Sequence, residues 1–204
     1  MRDLAMHKRM AVLMTGASGA ALTYRFLQEA RKAGVETHLV VTRAGGMVIK
    51  QELGLNVNDV ERLASFSYPE HNFMAPIASG SFRLDGVLVA PCSMKTLAGI
   101  AHGYEDNLVI RSASIALKER WRLVIMPRET PLSTIQIRNM LTVSEAGAIV
   151  MPPLPQFYFR PTDVSEVVEM TVGKMLSTFG IENALAREWG FSHSHAGEYE
   201  EERT

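Results

Sequence analysis

The chain has 204 residues, 47% hydrophobic and 21% charged, with 21 Lys and Arg against 22 Asp and Glu for a net charge of -1. That length fits one globular domain, and the balanced charge gives no reason to expect nucleic acid or an anionic membrane as partner. The single cysteine, Cys92, cannot form an internal disulfide, and no run of roughly 18 apolar residues offers a membrane span, so a soluble cytoplasmic protein is expected.

Met1 to Met10 carries Arg2, Lys8 and Arg9, but the apolar stretch that follows stops at Gly16, too soon for a secretory h-region. Met10 to Met14 reads as a strand. Thr15-Gly16-Ala17-Ser18-Gly19-Ala20 reads as a tight turn, and Leu22, Phe26, Leu27 and Ala30 recur at helical spacing after it. Gly34 suits a helix C-cap, Val35 to Thr42 a second strand, and Ala44 to Leu53 a second helix. Further on, Gly86 to Ala90 reads as a strand, Met94 to His102 and Asn107 to Arg120 as helices, and Arg122 to Met126 as a strand. A helix over Ser133 to Ala146, a short strand at Ala148 to Met151 and an amphipathic helix over Val164 to Phe179 complete the pattern. Strands that are apolar throughout and alternate with helices predict a three-layer α/β fold, a parallel sheet with helices on both faces. One domain is expected over residues 1–192. The tail from His193 to Thr204, with Glu198, Glu200, Glu201 and Glu202, has too little apolar content to pack and is expected to be disordered.

Sheets of this class bind ligands beyond the carboxyl ends of their strands, which directs attention to Thr15 to Ser18, Thr42 and Arg43, Pro91 to Thr96 and Pro127 to Thr130. The Thr15 turn offers backbone N–H groups and the Ser18 hydroxyl at a helix start, where a phosphate is well received. A purely structural turn reads the same way. A short-chain dehydrogenase would also need Tyr-x-x-x-Lys, and no tyrosine here is followed by lysine four residues later. Pro91-Cys92-Ser93-Met94-Lys95-Thr96 opens another helix with two hydroxyls three positions apart, which can face an anion or simply provide a Ser N-cap. Cys92 reads as a small buried hydrophobe rather than a nucleophile. In Pro127-Arg128-Glu129-Thr130-Pro131 a guanidinium suited to phosphate and a carboxylate leave the sheet side by side between two prolines. Pro152 to Pro161 must be a shaped loop bearing Phe157, Tyr158 and Phe159. The six histidines show no metal-ligand spacing beyond His193-Ser194-His195, and no Asp-Asp-x-x-Asp cluster is present, so no metal is expected.

Taken in order, TGASGA, FMAPIASGSF, PCSMKTLAGIAHGYEDNL, ALKER, PRETPLS and PPLPQFY resemble the UbiX/Pad1 family of flavin prenyltransferases over about Met10 to Trp189. The resemblance implies a flavodoxin-like or Rossmann-like fold, dodecameric assembly with sites between subunits, and transfer of a dimethylallyl group from dimethylallyl phosphate to N5 and C6 of reduced FMN. The prenylated FMN would serve a partner UbiD-type decarboxylase. It further implies that Gly16, Ala17, Ser18, Thr42, Ser93, Met94, Lys95, Thr96 and Arg128 contact FMN. Lys118, Arg128, Tyr158 and Lys174 would hold the prenyl phosphate. Ser18, Glu52 and Glu129 would take catalytic parts, with Phe73 and Trp189 in the prenyl pocket. Thr42 and Phe73 stand where the family often has serine and sometimes tryptophan. Three rival readings, an FMN-dependent cysteine decarboxylase, an aromatic acid decarboxylase and a non-catalytic flavin carrier, lack support. The first needs a Pro-x-Met-Asn-x-x-Met-Trp segment that is not here, the second finds no residue set for decarboxylation beyond supplying the flavin, and the third has no use for Lys118, Glu129 and Lys174.

Overall fold

The computed structural model describes residues 8–187, so the tail from His193 and the residue Trp189 lie outside the described residues. Within them, β1 (Arg9–Met14) leads into α1 (Ala20–Lys32), β2 (Glu36–Val41), α2 (Arg43–Leu53), α3 (Val57–Glu61) and β3 (Phe66–Tyr68). A 3-10 turn at Pro76–Ala78 precedes β4 (Gly86–Cys92), α4 (Met94–His102), α5 (Leu108–Lys118) and β5 (Leu123–Pro127). Then come α6 (Thr134–Glu145), β6 (Ile149–Val150), a 3-10 turn at Phe157–Phe159 and α7 (Val164–Thr178).

The six strands form one parallel sheet in the order β3-β2-β1-β4-β5-β6, the doubly wound Rossmann-like arrangement. The side-chain alternation of the strands divides the core in two. Met10, Val12 and Met14 of β1 face one side with Leu88 and Ala90 of β4, packed under Phe26 and Leu27 of α1 and Met175 and Leu176 of α7. Ala11, Leu13, Val87 and Val89 face the other, under Leu97 of α4 and Leu108, Val109 and Ala113 of α5. Both faces being covered explains why the central strands read as continuous apolar runs.

The predicted elements are all present, with ends shifted by one or two residues. Two were not foreseen, α3 and β3. The latter is three residues long, too short to display alternation, and is held by a network at the sheet edge. His38 of β2 is buried, with Nε2 against Glu36 at 2.8 Å and Nδ1 against the Tyr68 hydroxyl at 2.9 Å. Its ring stacks on Phe66 and Tyr68, and Arg9 Nε donates to Glu36 at 2.5 Å.

Candidate functional site

The strand order reverses between β1 and β4, and the loops beyond those strand ends part there. The resulting cleft, about 480 Å³, is lined by Thr15 and Gly16 after β1, by Thr42, Arg43, Ala44 and Met47 after β2, and by Glu70 and His71 after β3. Ser93, Lys95 and Thr96 after β4 and Asn107 before α5 complete it. Small-ligand pockets span about 300 to 1,000 Å³, so the cleft is of ligand size.

The turn after β1 is tied to the turn after β4, because the Thr15 hydroxyl donates to the Pro91 carbonyl at 2.8 Å and accepts the Ser93 N–H at 2.8 Å. Gly16 permits the close approach of α2, since a Cβ there would lie 2.4 Å from the Cβ of Ala44. Gly19 has φ 121°, a left-handed conformation that favours glycine. The N–H groups of Gly19 and Ala20 donate to the Glu52 carboxylate at 3.0 and 2.8 Å. Glu52, expected beside a flavin as a catalytic group, is therefore fixed in this structure as the cap of α1. Gly16 and Ser18 are left as the unpartnered N–H groups of the turn among the described residues.

Thr42 caps α2, its hydroxyl accepting the Gly45 N–H at 3.1 Å. Ser93 caps α4, its hydroxyl accepting the Thr96 N–H at 3.3 Å and donating to the Thr96 hydroxyl at 3.1 Å. The N-cap role of Ser93 is thus realised, yet both hydroxyls still line the cleft. Lys95 pairs with Asp106 at 3.1 Å on the exposed rim. Burial pushes the Cys92 thiol far up from its ordinary range, which leaves it a protonated core side chain.

Of the residues expected at the site, Gly16, Thr42, Ser93, Lys95 and Thr96 line this one cleft, and Ala17 and Ser18 continue the same turn. Met94 is half-buried against the core. Arg128 sits next to the β4 turn, its N–H donating to the Cys92 carbonyl at 3.1 Å, and the adjacent Glu129 carboxylate accepts the Thr130 N–H at 3.0 Å. Phe73 is exposed two residues beyond His71.

The expected clamp of Lys118, Arg128 and Lys174 does not assemble inside one chain. The 11-residue α5 starts at the cleft and ends with Lys118, about 16 Å away toward the amino ends of the strands, where it pairs with Glu119. Lys174 is exposed on α7, on the other face of the sheet, five residues before Phe179, whose ring covers Gly86 at the start of β4. Tyr158 is exposed in the loop after β6, two strands beyond β4, against Phe159. Ala44, Met47, Glu70, His71 and Asn107 line the cleft without having been expected. The signal for Glu70 and His71, a position just past a strand, was hidden because β3 itself was. Among the described residues no group of three His, Cys, Asp or Glu side chains is arranged to hold a metal, and no helix is long and apolar enough to cross a membrane.

The chain matches the family model described as Flavoprotein over residues 2–188. It is 44% identical over 182 residues to the flavin prenyltransferase UbiX of Methanocaldococcus jannaschii, covering 89% of this chain and 98% of that one. Among solved structures, AnUbiX (PadA1) in complex with FMN and dimethylallyl pyrophosphate matches with TM-score 0.88 and 44% identity, over 90% of this chain and 97% of that one. A dodecameric FMN-dependent UbiX-like decarboxylase from Escherichia coli O157:H7 matches with TM-score 0.84 and 47% identity, over 86% and 96%.

Proposed function

This chain belongs to the UbiX/Pad1 family of flavin prenyltransferases, and on that basis we propose that it transfers a dimethylallyl group from dimethylallyl phosphate to reduced FMN, releasing phosphate. The observation that carries the reading is the likeness, at TM-score 0.88, to a structure holding FMN and a dimethylallyl donor. The cleft fits a phosphorylated flavin by its donors alone. The hydroxyls of Thr42, Ser93 and Thr96 and the Lys95 ammonium converge there with the N–H groups of Gly16 and Lys95, which have no acceptor among the described residues. Such groups hold an anion without a metal.

Reduced FMN, as prenyl acceptor, supplies the nucleophilic N5 and C6 atoms. The chain's own part is to separate charge. Ionising an allylic phosphate creates a carbocation and an anion, which need different walls. Arg128, held beside the β4 turn, forks onto the phosphate, and Glu129 next to it gives the departing phosphate its proton. Aromatic faces stabilise the cation, with Phe73 on the cleft side and Tyr158 and Trp189 as their counterparts.

Because Lys118 and Lys174 sit far along helices on opposite faces of the sheet, they reach the phosphate as contributions from neighbouring copies. A dodecamer with shared sites supplies them. Ser18 touches the flavin, and Glu52 acts on it by fixing the turn that carries Ser18. The prenylated FMN passes to a UbiD-type decarboxylase in the cytoplasm, a setting supported by the buried, unpaired Cys92.

Phosphate release tests the reading. Anaerobic mixing should liberate one phosphate per reduced FMN consumed, and none when either substrate is omitted. Phosphate release that does not depend on the flavin would make the chain a phosphatase rather than a transferase.

A further inference from the structure

Three segments of the cleft wall meet at Glu70, two residues beyond β3. Its Oε1 accepts the backbone N–H of Arg43, the first residue of α2, at 2.9 Å. Its carbonyl accepts the backbone N–H of Leu108, the first residue of α5, at 2.7 Å. Both donors are helix-terminal groups with no acceptor inside their own helix. The two helices lie on opposite faces of the sheet, α2 burying Ile49 in one core and α5 burying Leu108 and Val109 in the other. Glu70 thus joins both layers across the sheet edge. The residues that precede those two donors, Thr42 and Asn107, are the N-caps of α2 and α5, and both line the cleft.

We infer that Glu70 is a positioning residue for the flavin site, one that fixes the first turns of α2 and α5 and through them the Thr42 hydroxyl and the Asn107 side chain. The inference rests on the reading that this cleft takes FMN. A surface carboxylate with a merely solvating role would meet water or a guanidinium. The Glu70 carboxylate instead takes a backbone N–H from α2, while its own backbone takes one from α5, and each bond constrains a different wall. A charge-assisted bond to a backbone N–H is among the stronger ones a side chain makes. The hydrogen bond itself depends on reach, so glutamine keeps it through the amide oxygen, without the charge, whereas aspartate, one methylene shorter, falls short of the Arg43 N–H while keeping the charge.

The test is titration of FMN onto the purified full-length protein, followed by quenching of flavin fluorescence, with steady-state kinetics alongside. Glu70→Ala and Glu70→Asp should raise the FMN dissociation constant roughly tenfold, the size expected for one lost charge-assisted bond. Both should raise the KM for reduced FMN and leave the KM for dimethylallyl phosphate near the parental value. Glu70→Gln should stay within about threefold of the parent. Should Glu70→Ala fail to fold, the Asp and Gln pair decides. Parental FMN affinity in Glu70→Ala and Glu70→Asp overturns the inference alone, as does an Asp variant that binds normally beside a Gln variant that does not, since charge rather than reach would then matter. Failure of the parent itself to bind FMN overturns the proposed function and this inference with it.

Discussion

Glu52 Oε2 accepts the backbone N–H of Ala20 at 2.8 Å, so a carboxylate carried by α2 closes the N-terminus of α1. A glycine-rich turn at a helix start would otherwise offer those N–H groups to a phosphate. Glu52→Ala should lower unfolding stability by about 1 kcal/mol, the usual size of a lost N-terminal cap, and Glu52→Gln by less because its amide oxygen still accepts. Denaturant unfolding monitored by circular dichroism measures both. Equal loss in the two variants would show that charge, not the cap bond, is what α1 requires.

Glu129 and Ser93 should separate chemistry from binding. Glu129→Gln should reduce kcat by about 10²- to 10⁴-fold, the contribution typical of a proton-transfer group, with FMN affinity near parental. Ser93→Ala removes a cap and a cleft hydroxyl together, so it should weaken FMN binding. A Glu129→Gln enzyme with parental turnover would remove Glu129 from the chemistry.

The distance between Lys118 and the cleft of its own chain predicts complementation. Lys118→Ala and Glu129→Gln should each be inactive alone. Dissociated, mixed and reassembled, they should regain activity, because some sites then combine an intact Lys118 edge with an intact Glu129 loop from another copy. No recovery in reassembled mixtures of confirmed size would argue that each chain completes its own site.

The edge network makes stability depend on pH. Burial holds the His38 imidazole below its ordinary value of 6.5, against the opposing pull of Glu36, and the hydrogen bonds from Arg9 and then His38 hold Glu36 below 4.5. Both groups bind fewer protons folded than unfolded. Stability is therefore full above 6.5, falls as pH drops through the His38 window, and falls further as Glu36 titrates below 4.5. Unfolding free energies measured from about pH 7 to about pH 5 should decline in the parent and flatten in His38→Gln. Stability that rises on acidification would contradict the burial of a neutral imidazole.

The sheet was legible because β1, β4 and β5 are buried on both faces and read as apolar runs, and β2 follows Glu36-Thr37-His38 with the apolar run Leu39-Val40-Val41. β3 was not, since Phe66-Ser67-Tyr68 is short and owes its place to stacking on His38, a contact between residues 28 and 30 positions apart in sequence. The cleft hydroxyls Thr42, Ser93 and Thr96 were legible for a local reason, as each follows a strand and starts a helix. Lys118 and Lys174 could be chosen as cations by resemblance to the family's motifs, but their separation on opposite faces follows from the winding of the chain. Glu70 carried no local mark at all, because its two partners, Arg43 and Leu108, are contributed by helices far from it in sequence.

The most direct test of the account is mass spectrometry of the flavin recovered after anaerobic incubation of the protein with reduced FMN and dimethylallyl phosphate, with and without EDTA. Metal-free prenyl transfer predicts a flavin heavier by one isoprene unit in both samples and none in a Glu129→Gln control over the same time. Recovery of unmodified FMN from a protein shown to bind both ligands would contradict it, and a product abolished by EDTA and restored by magnesium would contradict its metal-free phosphate site.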